Sequence, residues 1–327
     1  MKENPQFEYV WNWEVDSRFT GHYYEFAENT AKFGQAQPRR GIWERSERFY
    51  IPSYHGDYKH FRSFVDRQDP LGVWGAMPLW AMKEGESKEM IRDPPVIQRR
   101  GPAPPVSVAT QDKNFQWGVG EEPDLMTFLP IFNPANTDWV IRKHVFGYMG
   151  AETPRRAALI THCRLSRRLL MAMDEENHAG RHMAAELFHV STALLHGFKA
   201  LTVPHPVYAD RVMSGKRVSR WYNSGVNGRS GNTPDSPFSW GREGRFKDVS
   251  WYYRTNLPGR LYWNFLGWEK GGTGGPEVRD NRFPDNHIPE TNFPLQYEKT
   301  HGRHCLPSML LHPIKDVSPE SESMNYE

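Results

Sequence analysis

The sequence predicts an α/β fold in which a partial sheet is flanked by helices and long loops. Strand-like and helix-like segments alternate along the chain, in the order strand, helix, loop, strand, helix, helix, strand. Aromatic residues make up 13% of the chain, so a sizeable core can form although apolar residues reach only 38%. Proline and glycine number 26 and 27, which requires long, turn-rich connections.

The first predicted elements are a strand and a helix. Residues 7–13, with the sequence FEYVWNW, alternate aromatic residues with others and predict a strand that is buried on at least one face. Residues 20–33 predict a helix because aromatic and small residues recur near helical spacing. Residues 43–50 are a second candidate strand or a loop.

The second half of the chain predicts two helices and a strand. Pro154 suits the first turn of a helix over residues 155–173. A second helix, which ends at Gly197, is predicted from apolar residues at helical spacing, namely Met183, Leu187, Val190 and Leu194. Residues 198–203 alternate as a strand does.

Two irregular insertions are predicted, at about residues 66–114 and 214–247. The first contains proline-rich runs, which are incompatible with the interior of a helix or strand. The second is rich in glycine, serine, asparagine and arginine. We therefore expect a single α/β domain over residues 1–315 that carries both insertions, followed by a disordered polar tail at residues 316–327.

Composition excludes several classes of function. With 41 basic and 39 acidic residues the net charge is +2, so no nucleic-acid partner is expected. No run of 18 apolar residues is present, so no membrane span is expected in this chain. Two cysteines, Cys163 and Cys305, exclude a disulfide framework and a cysteine-based zinc module, and whether they pair is open. The common hydrolase, protease and dehydrogenase motifs are missing.

The sharpest chemical signal is the pair Glu14-x-Asp16, which follows the first predicted strand. Two such carboxylates point the same way if the chain stays extended, and ligands of open α/β sheets bind where strands end. Mg²⁺ and Mn²⁺ prefer oxygen ligands, and a cation here would neutralise a diphosphate leaving group. Trp13 suggests a buried approach to the site. The alternative is a solvated turn whose acids pair with Arg18.

A second candidate site is the segment WGVGEEPD at residues 117–124. Gly118 and Gly120 let the backbone come close to a ligand. Glu121 and Glu122 supply acid groups at the edge of the same loop. The alternative is a glycine turn before a solvated acidic helix start, because carboxylates are favourable there without any function.

Glu186 is a candidate general base because it borders the apolar stripe of its predicted helix. An ion pair is the alternative, and His182 and His189, one turn away, are candidate partners. His205 and His312 each lie beside prolines in apolar surroundings. Both are candidate metal ligands or phosphate contacts, with an ordinary structural role as the alternative.

Blocks spread over most of the chain resemble a fungal family known only as a domain of unknown function. These blocks are residues 10–24, 117–124, 164–170, 196–208 and 305–313. At a second level they resemble the landmarks of GT-A-type glycosyltransferases, enzymes that use nucleotide-sugar donors. The acidic pair looks like the metal-binding motif of these enzymes. The order of Glu186, helix, Gly197 and strand is similar to the segment that carries their catalytic base.

The resemblance to GT-A enzymes implies a fold and a function. The fold is a partial, Rossmann-like mixed sheet, expected to be N-terminally incomplete because the chain begins shortly before the metal motif. The function is metal-dependent transfer of a sugar from a nucleotide-sugar donor to a hydroxyl of a glycan or small-molecule acceptor. Relatives resemble membrane-anchored proteins, which suggests a Golgi-like, secretory-pathway location, although this chain shows no signal or anchor.

The resemblance also implies roles for particular residues. Mn²⁺ or Mg²⁺ would be held by Glu14, Asp16 and His205. The catalytic candidates are Glu186, which spacing favours, and Glu121 and Glu122. The residues predicted to bind the cofactor are Trp13, Glu14, Arg18, Gly118 and Gly120.

Two departures and two alternatives accompany this prediction. The first acid of the metal motif is usually Asp and is Glu14 here, and Glu186 stands alone where an acidic pair is usual. One alternative is a non-catalytic carbohydrate- or protein-binding module, since exposed Trp and Tyr in long loops suit sugar stacking. The other is an inactive, truncated relative.

Overall fold

A computed structural model describes most of the chain in separate ranges, which are residues 2–15, 17–70, 100–102, 105, 116–150, 153–159, 162–205, 214–242 and 308–312. The chain divides into two compact units. Unit 1 comprises Met1–Trp13, Glu25–Pro204 and Met213–Arg245. Unit 2 comprises Glu14–Tyr24, His205–Val212 and Phe246–Glu327. Each unit is described by its own residues.

Eight strands lie within the described ranges. In chain order they are β1 (Tyr9–Trp13), β2 (Arg18–Phe19), β3 (Leu125–Thr127), β4 (Val145–Phe146), β5 (His162–Ser166), β6 (His182–Met183), β7 (Ala200–Thr202) and β8 (Leu310–Leu311). Seven helices accompany them, namely α1 (Tyr23–Gln35), α2 (Ile42–Ser46), α3 (Pro52–His55), α4 (Tyr58–Gln68), α5 (Arg167–His178), α6 (Ala185–His196) and α7 (Gly215–Tyr222).

The core of unit 1 is a four-stranded sheet in the order β1-β5-β3-β7. β5 is antiparallel to both of its neighbours, whereas β3 and β7 run parallel. Every residue of β3 and β5 is buried, as expected for central strands that are covered on both faces. The predicted α/β class is therefore confirmed, and the sheet is mixed.

Four predicted elements are confirmed because their patterns are local. In β1 the aromatic residues Tyr9, Trp11 and Trp13 are half-buried and the two residues between them are exposed. The predicted helix over residues 20–33 is α1, and the predicted strand over 198–203 contains β7. The amphipathic helix is α6, although Met183, predicted within it, belongs to β6. It ends at Gly197, whose φ of 73° is the left-handed conformation that favours glycine.

The segment at residues 43–50 was predicted as a strand or loop, which is wrong for its first part, whereas residues 47–50 belong to no helix or strand. Its first part lies in helix α2, which begins after Gly41, a residue with φ of 63°. All five residues of α2 are buried, including three polar ones. A helix buried on every side has no amphipathic pattern, so the charged residues in IWERS concealed it.

The prediction of a helix over residues 155–173 is wrong in its first half. Residues 162–166 form β5, which hydrogen-bonds to strands on both sides. Helix α5 begins only at Arg167, where the Ser166 hydroxyl accepts a hydrogen bond from the backbone N–H of Leu169 at 3.1 Å. The predicted helix therefore starts more than three turns too early, because sheet pairing is a long-range effect that the local pattern does not show.

The predicted irregular insertions are also corrected in part. Helix α7 lies inside residues 214–247, where Ser214 caps its first turn and the Arg217 guanidinium stacks over Trp221 at 4.5 Å. Helix α4 continues to Gln68, just inside the first insertion. Residues 71–99 and the predicted tail at 316–327 lie outside the described ranges.

Candidate functional site

Glu14, the first acid of the motif, begins a turn in unit 2. The backbone N–H of Ser17 and its hydroxyl both donate to the Glu14 carbonyl, at 3.2 and 3.0 Å. The chain therefore turns after Glu14, as in the alternative of a turn, and does not stay extended there. Asp16, the second acid of the motif, lies outside the described ranges.

Arg18 supports the same turn from outside. Its Nη1 donates to the carbonyl oxygens of Val15 and Ser17, each at 2.8 Å. Arg18 was predicted to bind a cofactor or to pair with the acids. In the structure its guanidinium donates to backbone oxygens of the turn, and Arg18 therefore helps to shape the turn.

A short ladder in unit 2 brings a distant histidine to this turn. β2 and β8 are antiparallel, with Arg18 opposite Leu311 and Phe19 opposite Leu310. Thr20 extends the pairing, since its backbone N–H donates to the Met309 carbonyl at 3.0 Å. Continuing the same register places His312 opposite Ser17, at the end of the acidic turn.

Glu14 and His312 are in direct contact. His312 Nε2 lies 2.8 Å from Glu14 Oε2. The His312 side chain is only 2% exposed, whereas that of Glu14 is 40% exposed. The third metal ligand predicted from the sequence is His205, which is half-buried and follows β7 in the chain. The histidine that the structure brings to Glu14 is His312, which the sequence had marked as a candidate ligand of the same kind.

Within the described ranges, no group of three His, Cys, Asp or Glu side chains is arranged to hold a metal ion. Glu14 and His312 supply two donors in those ranges. Asp16, the predicted third donor from the acidic motif, is not among the residues that the structure describes.

The two glycines in the loop at residues 117–124 of unit 1 have different surroundings. Gly118 and Gly120 have φ values of 87° and 86°, which favour glycine. A Cβ added to Gly118 would lie 2.5 Å from Cγ of Arg39, whereas one added to Gly120 would meet no atom within 4 Å. Gly118 is therefore required for packing on Arg39, and of these two glycines only Gly120 has open space beside it.

We expect the two glycines to respond differently to alanine. Gly120→Ala should cost about 1 kcal/mol, since it introduces only the strain of a left-handed backbone. Gly118→Ala should cost roughly 1–3 kcal/mol more because it also overpacks the Arg39 side chain. Urea denaturation of both variants measures the difference. Equal losses would contradict the close packing of Gly118 on Arg39.

Glu121 and Glu122 were predicted as catalytic candidates that compete with Glu186 for the role of the base, and both form ion pairs. Glu121 accepts two hydrogen bonds from Arg39, at 2.7 and 2.6 Å, and one from Arg168 at 3.0 Å. Burial raises the pKa of Glu121, but the hydrogen bonds from Arg39 and Arg168 outweigh it, and the net pKa is lowered. Glu122 accepts from Arg164 Nη2 at 2.9 Å. The lowered pKa of Glu121 makes it a weak base and so poorly suited to accept a proton.

Asp124 anchors the same loop to the sheet. It is fully buried. Its Oδ1 accepts from the Ser166 hydroxyl at 2.7 Å and from Arg168 Nε. Its Oδ2 accepts from Arg168 Nη2 at 2.7 Å and from the Lys199 backbone N–H at 3.1 Å. Asp124 thus joins the loop to the end of β5 and to the residue just before β7.

Lys199 completes this anchor and was missed by sequence reasoning. Its buried ammonium group donates to the carbonyl oxygens of Gly118 and Glu121, at 2.7 and 2.6 Å. Burial lowers the pKa of Lys199 to about 8. The signal that could have found it is a single lysine beside the apolar strand residues that follow Phe198.

Glu186 lies where the sequence placed it, on the first turn of α6 and half-buried. Its candidate partners take other positions. His189 Nδ1 lies 3.0 Å from the Ala185 carbonyl, and burial lowers the pKa of His189 to about 4. His182 is exposed and stacks on Phe146 with ring centroids 4.8 Å apart.

A buried ionic cluster in unit 1 was also missed. Asp69 accepts from Arg48 and from Arg229, the latter at 2.6 Å. Glu47 lies 3.5 Å from the Arg229 guanidinium. Within the described ranges, neither carboxylate oxygen of Glu44 has a hydrogen-bond partner, and burial raises the pKa of Glu44 to about 7. The segment WERSER looks like a solvated charged stretch, so the sequence gives no sign of this burial.

A family model described as "Protein of unknown function (DUF3405)" matches residues 1–316. Because the match covers nearly the whole chain, the chain belongs to this family, which confirms the resemblance to a domain of unknown function. No curated protein and no solved structure matches the chain. Among the helices of the described ranges, none has the length and apolar character needed to cross a bilayer.

Proposed function

We propose that the chain is a metal-dependent glycosyltransferase that moves a sugar from a nucleotide-sugar donor to a hydroxyl acceptor. The observation that carries the proposal is the contact between Glu14 and His312, which joins an acidic turn after a sheet strand to a distant histidine. Carboxylate and imidazole groups together form a donor set for a divalent cation.

The two described donors fit a cation in distance, chemistry and access. Their atoms are 2.8 Å apart, a hydrogen-bond distance that is also close to the spacing of two ligands on one ion. Mg²⁺ takes oxygen ligands, whereas imidazole suits transition metals, so the set favours Mn²⁺ over Mg²⁺. Glu14 remains 40% exposed, which leaves a route for a ligand. Asp16 is the proposed third donor.

The surrounding residues would keep this donor set in place. Ser17 and Arg18 hold the turn through its carbonyl oxygens, and the β2–β8 ladder fixes His312. When bound, the cation would neutralise the charge of the diphosphate leaving group.

We propose Glu186 as the general base that removes the proton of the acceptor hydroxyl. Glu121, its competitor, is held by the guanidinium groups of Arg39 and Arg168. Glu186 is half-buried at the start of α6 and carries no such pair in the described ranges. Glu186→Gln should therefore leave donor binding intact and abolish transfer.

The proposal is tested by isothermal titration of the 327-residue chain with Mn²⁺ in the presence of UDP or GDP. We expect the wild type to bind the nucleotide only with Mn²⁺. Glu14→Ala, Asp16→Ala and His312→Ala should each weaken this binding at least about tenfold, the loss expected when a metal ligand or its partner is removed. His182→Ala, which removes an exposed histidine, is the control and should bind as the wild type does.

Two outcomes would contradict the proposal. If the wild type shows no Mn²⁺-dependent nucleotide binding, the predicted alternatives of a non-catalytic binding module or an inactive relative are favoured. If His312→Ala binds as tightly as the wild type, the Glu14–His312 contact is an ordinary hydrogen bond and not a donor set.

A further inference from the structure

Helix α7 presents a basic surface to solvent, formed by Lys216, Arg217 and Arg220. All three side chains are exposed, and α7 contains no acidic residue. Arg220 is four residues after Lys216 and three after Arg217, which makes the three side chains neighbours on one side of the helix. No ion pair joins any of them to another residue within the ranges that the structure describes. Their charges are therefore available to an external partner.

The other side of α7 is fixed to the body of unit 1. Tyr222 is buried, and its ring centroid lies 5.2 Å from that of Phe49. The Asn223 side chain accepts a hydrogen bond from the backbone N–H of Phe49 at 2.8 Å and donates one to the carbonyl of the same residue at 3.0 Å. The basic surface is therefore carried by a helix whose position is fixed by packing and hydrogen bonds.

An exposed tyrosine lies next to the start of this helix. α7 begins against α3, since a Cβ added to Gly215 would lie 2.5 Å from the Ser53 hydroxyl. Tyr54, the next residue of α3, is 46% exposed. Tyr54 and Lys216 are thus each one residue from this contact. Tyrosine rings beside basic side chains are typical of protein surfaces that lie at the interface between a bilayer and water.

This part of the surface has a larger net charge than the whole chain. α3 packs against both α4 and α7. Residues 52–68 and 215–222, which contain these three helices, include six Lys or Arg and two Asp, a net charge of +4. The whole chain has a net charge of only +2, so the remaining residues sum to −2. A charge distribution this uneven favours an anionic partner at the three helices.

We propose that the basic surface of α7, together with Tyr54, docks on the anionic phospholipids of a bilayer surface. Such a bilayer attracts basic side chains through its negative surface potential and requires no shape complementarity. A protein partner would instead favour a buried apolar centre, and lysine is depleted from such interfaces. The docking needs neither a cation nor a nucleotide, so this inference goes beyond the proposed transferase function and does not rest on it.

The test is sedimentation of the full chain with phosphatidylcholine vesicles that either lack phosphatidylserine or contain about 30% of it. EDTA is present, so that the proposed cation site does not contribute. We expect binding only to the vesicles that contain phosphatidylserine, and release in about 0.5 M NaCl, because salt screens exposed charges. One basic residue near such a surface is worth about fivefold in binding, so the double variant Lys216→Gln, Arg220→Gln should bind about 25-fold more weakly. Lys143→Gln, which changes an exposed lysine of unit 1 outside these helices, is the control and should bind as the wild type does.

Three results would overturn the proposal. They are failure of the wild type to bind the phosphatidylserine vesicles, equal binding to both kinds of vesicle, and unchanged binding by the double variant. If the wild type binds polyglutamate but no vesicles, and the double variant loses that binding, the partner is an acidic polypeptide and the lipid proposal is wrong.

Two further variants keep the test decisive. If the double variant has a lower urea midpoint than the wild type, the single variant Arg220→Gln replaces it, with an expected loss of about fivefold. Tyr54→Ala should weaken binding to the phosphatidylserine vesicles several-fold. Unchanged binding by Tyr54→Ala would overturn the part of the proposal that assigns this ring to the docking surface.

Discussion

Replacing Asp124 by alanine is expected to destabilise the protein by about 2–4 kcal/mol, because each buried donor that is left without an acceptor costs about 1–3 kcal/mol. The substitution leaves the Arg168 guanidinium, the Ser166 hydroxyl and the Lys199 backbone N–H without their shared acceptor. It also releases the loop that carries Gly118 and Gly120 from the sheet. The free energy of unfolding from urea denaturation, monitored by tryptophan fluorescence, measures the loss.

The matched control is Asp235→Ala. Asp235 is 66% exposed and pairs with Arg242 at 3.0 Å, so its removal should cost no more than about 1 kcal/mol. A similarly small loss for Asp124→Ala would mean that the loop does not depend on this carboxylate. The position of Asp124 at the junction of three segments would then be incidental to stability.

The second large effect is expected at Glu44. Burial raises the pKa of Glu44 from 4.5 to about 7, so the folded state holds a proton that the unfolded state releases. Between these two pH values the stability must fall as the pH rises, and the full penalty is present above pH 7. A shift of this size corresponds to about 3 kcal/mol. Glu44→Gln, which is neutral at every pH, should therefore stabilise the protein by about 3 kcal/mol at pH 8 and by much less at pH 5.

The measurement is the free energy of unfolding of wild type and Glu44→Gln at pH 5 and pH 8. Glu28→Gln is the control, because Glu28 is 45% exposed in a surface pair with Lys32, and its replacement should change the free energy of unfolding by no more than about 1 kcal/mol at either pH. If Glu44→Gln destabilises the protein at pH 8, the carboxylate must be ionised there and must stabilise the arginines of the cluster.

The elements that could be predicted from the sequence are those with a local pattern. β1 alternates with period two, and α6 carries an apolar stripe and a glycine at its end. α2 could not be found, because a short helix that is buried on all sides has no polar face. β5 could not be separated from α5, because its pairing with β1 and β3 comes from residues far away in the chain.

The candidate site could likewise be predicted only where its features are local in the sequence. The place of Glu14 after a strand is a local feature, and it marked the residue. Its neighbour His312 is 298 positions away in the chain, and only the pairing of β2 with β8 brings it close. Nothing in the sequence therefore favoured His312 over His205 as the metal ligand. Likewise, nothing near Glu121 in the sequence indicates Arg39, 82 positions away, whose guanidinium holds it ionised.

We propose above that Glu14 and His312 hold a divalent cation together with Asp16. The most direct measurement is anomalous diffraction at the manganese edge from crystals of the full chain grown with Mn²⁺ and UDP or GDP. We expect one strong anomalous peak in bonding contact with Glu14 and His312, which disappears in crystals of His312→Ala. The proposal would be contradicted by crystals that contain nucleotide and Mn²⁺ but show no peak beside Glu14 and His312, while the 2.8 Å contact between these residues persists.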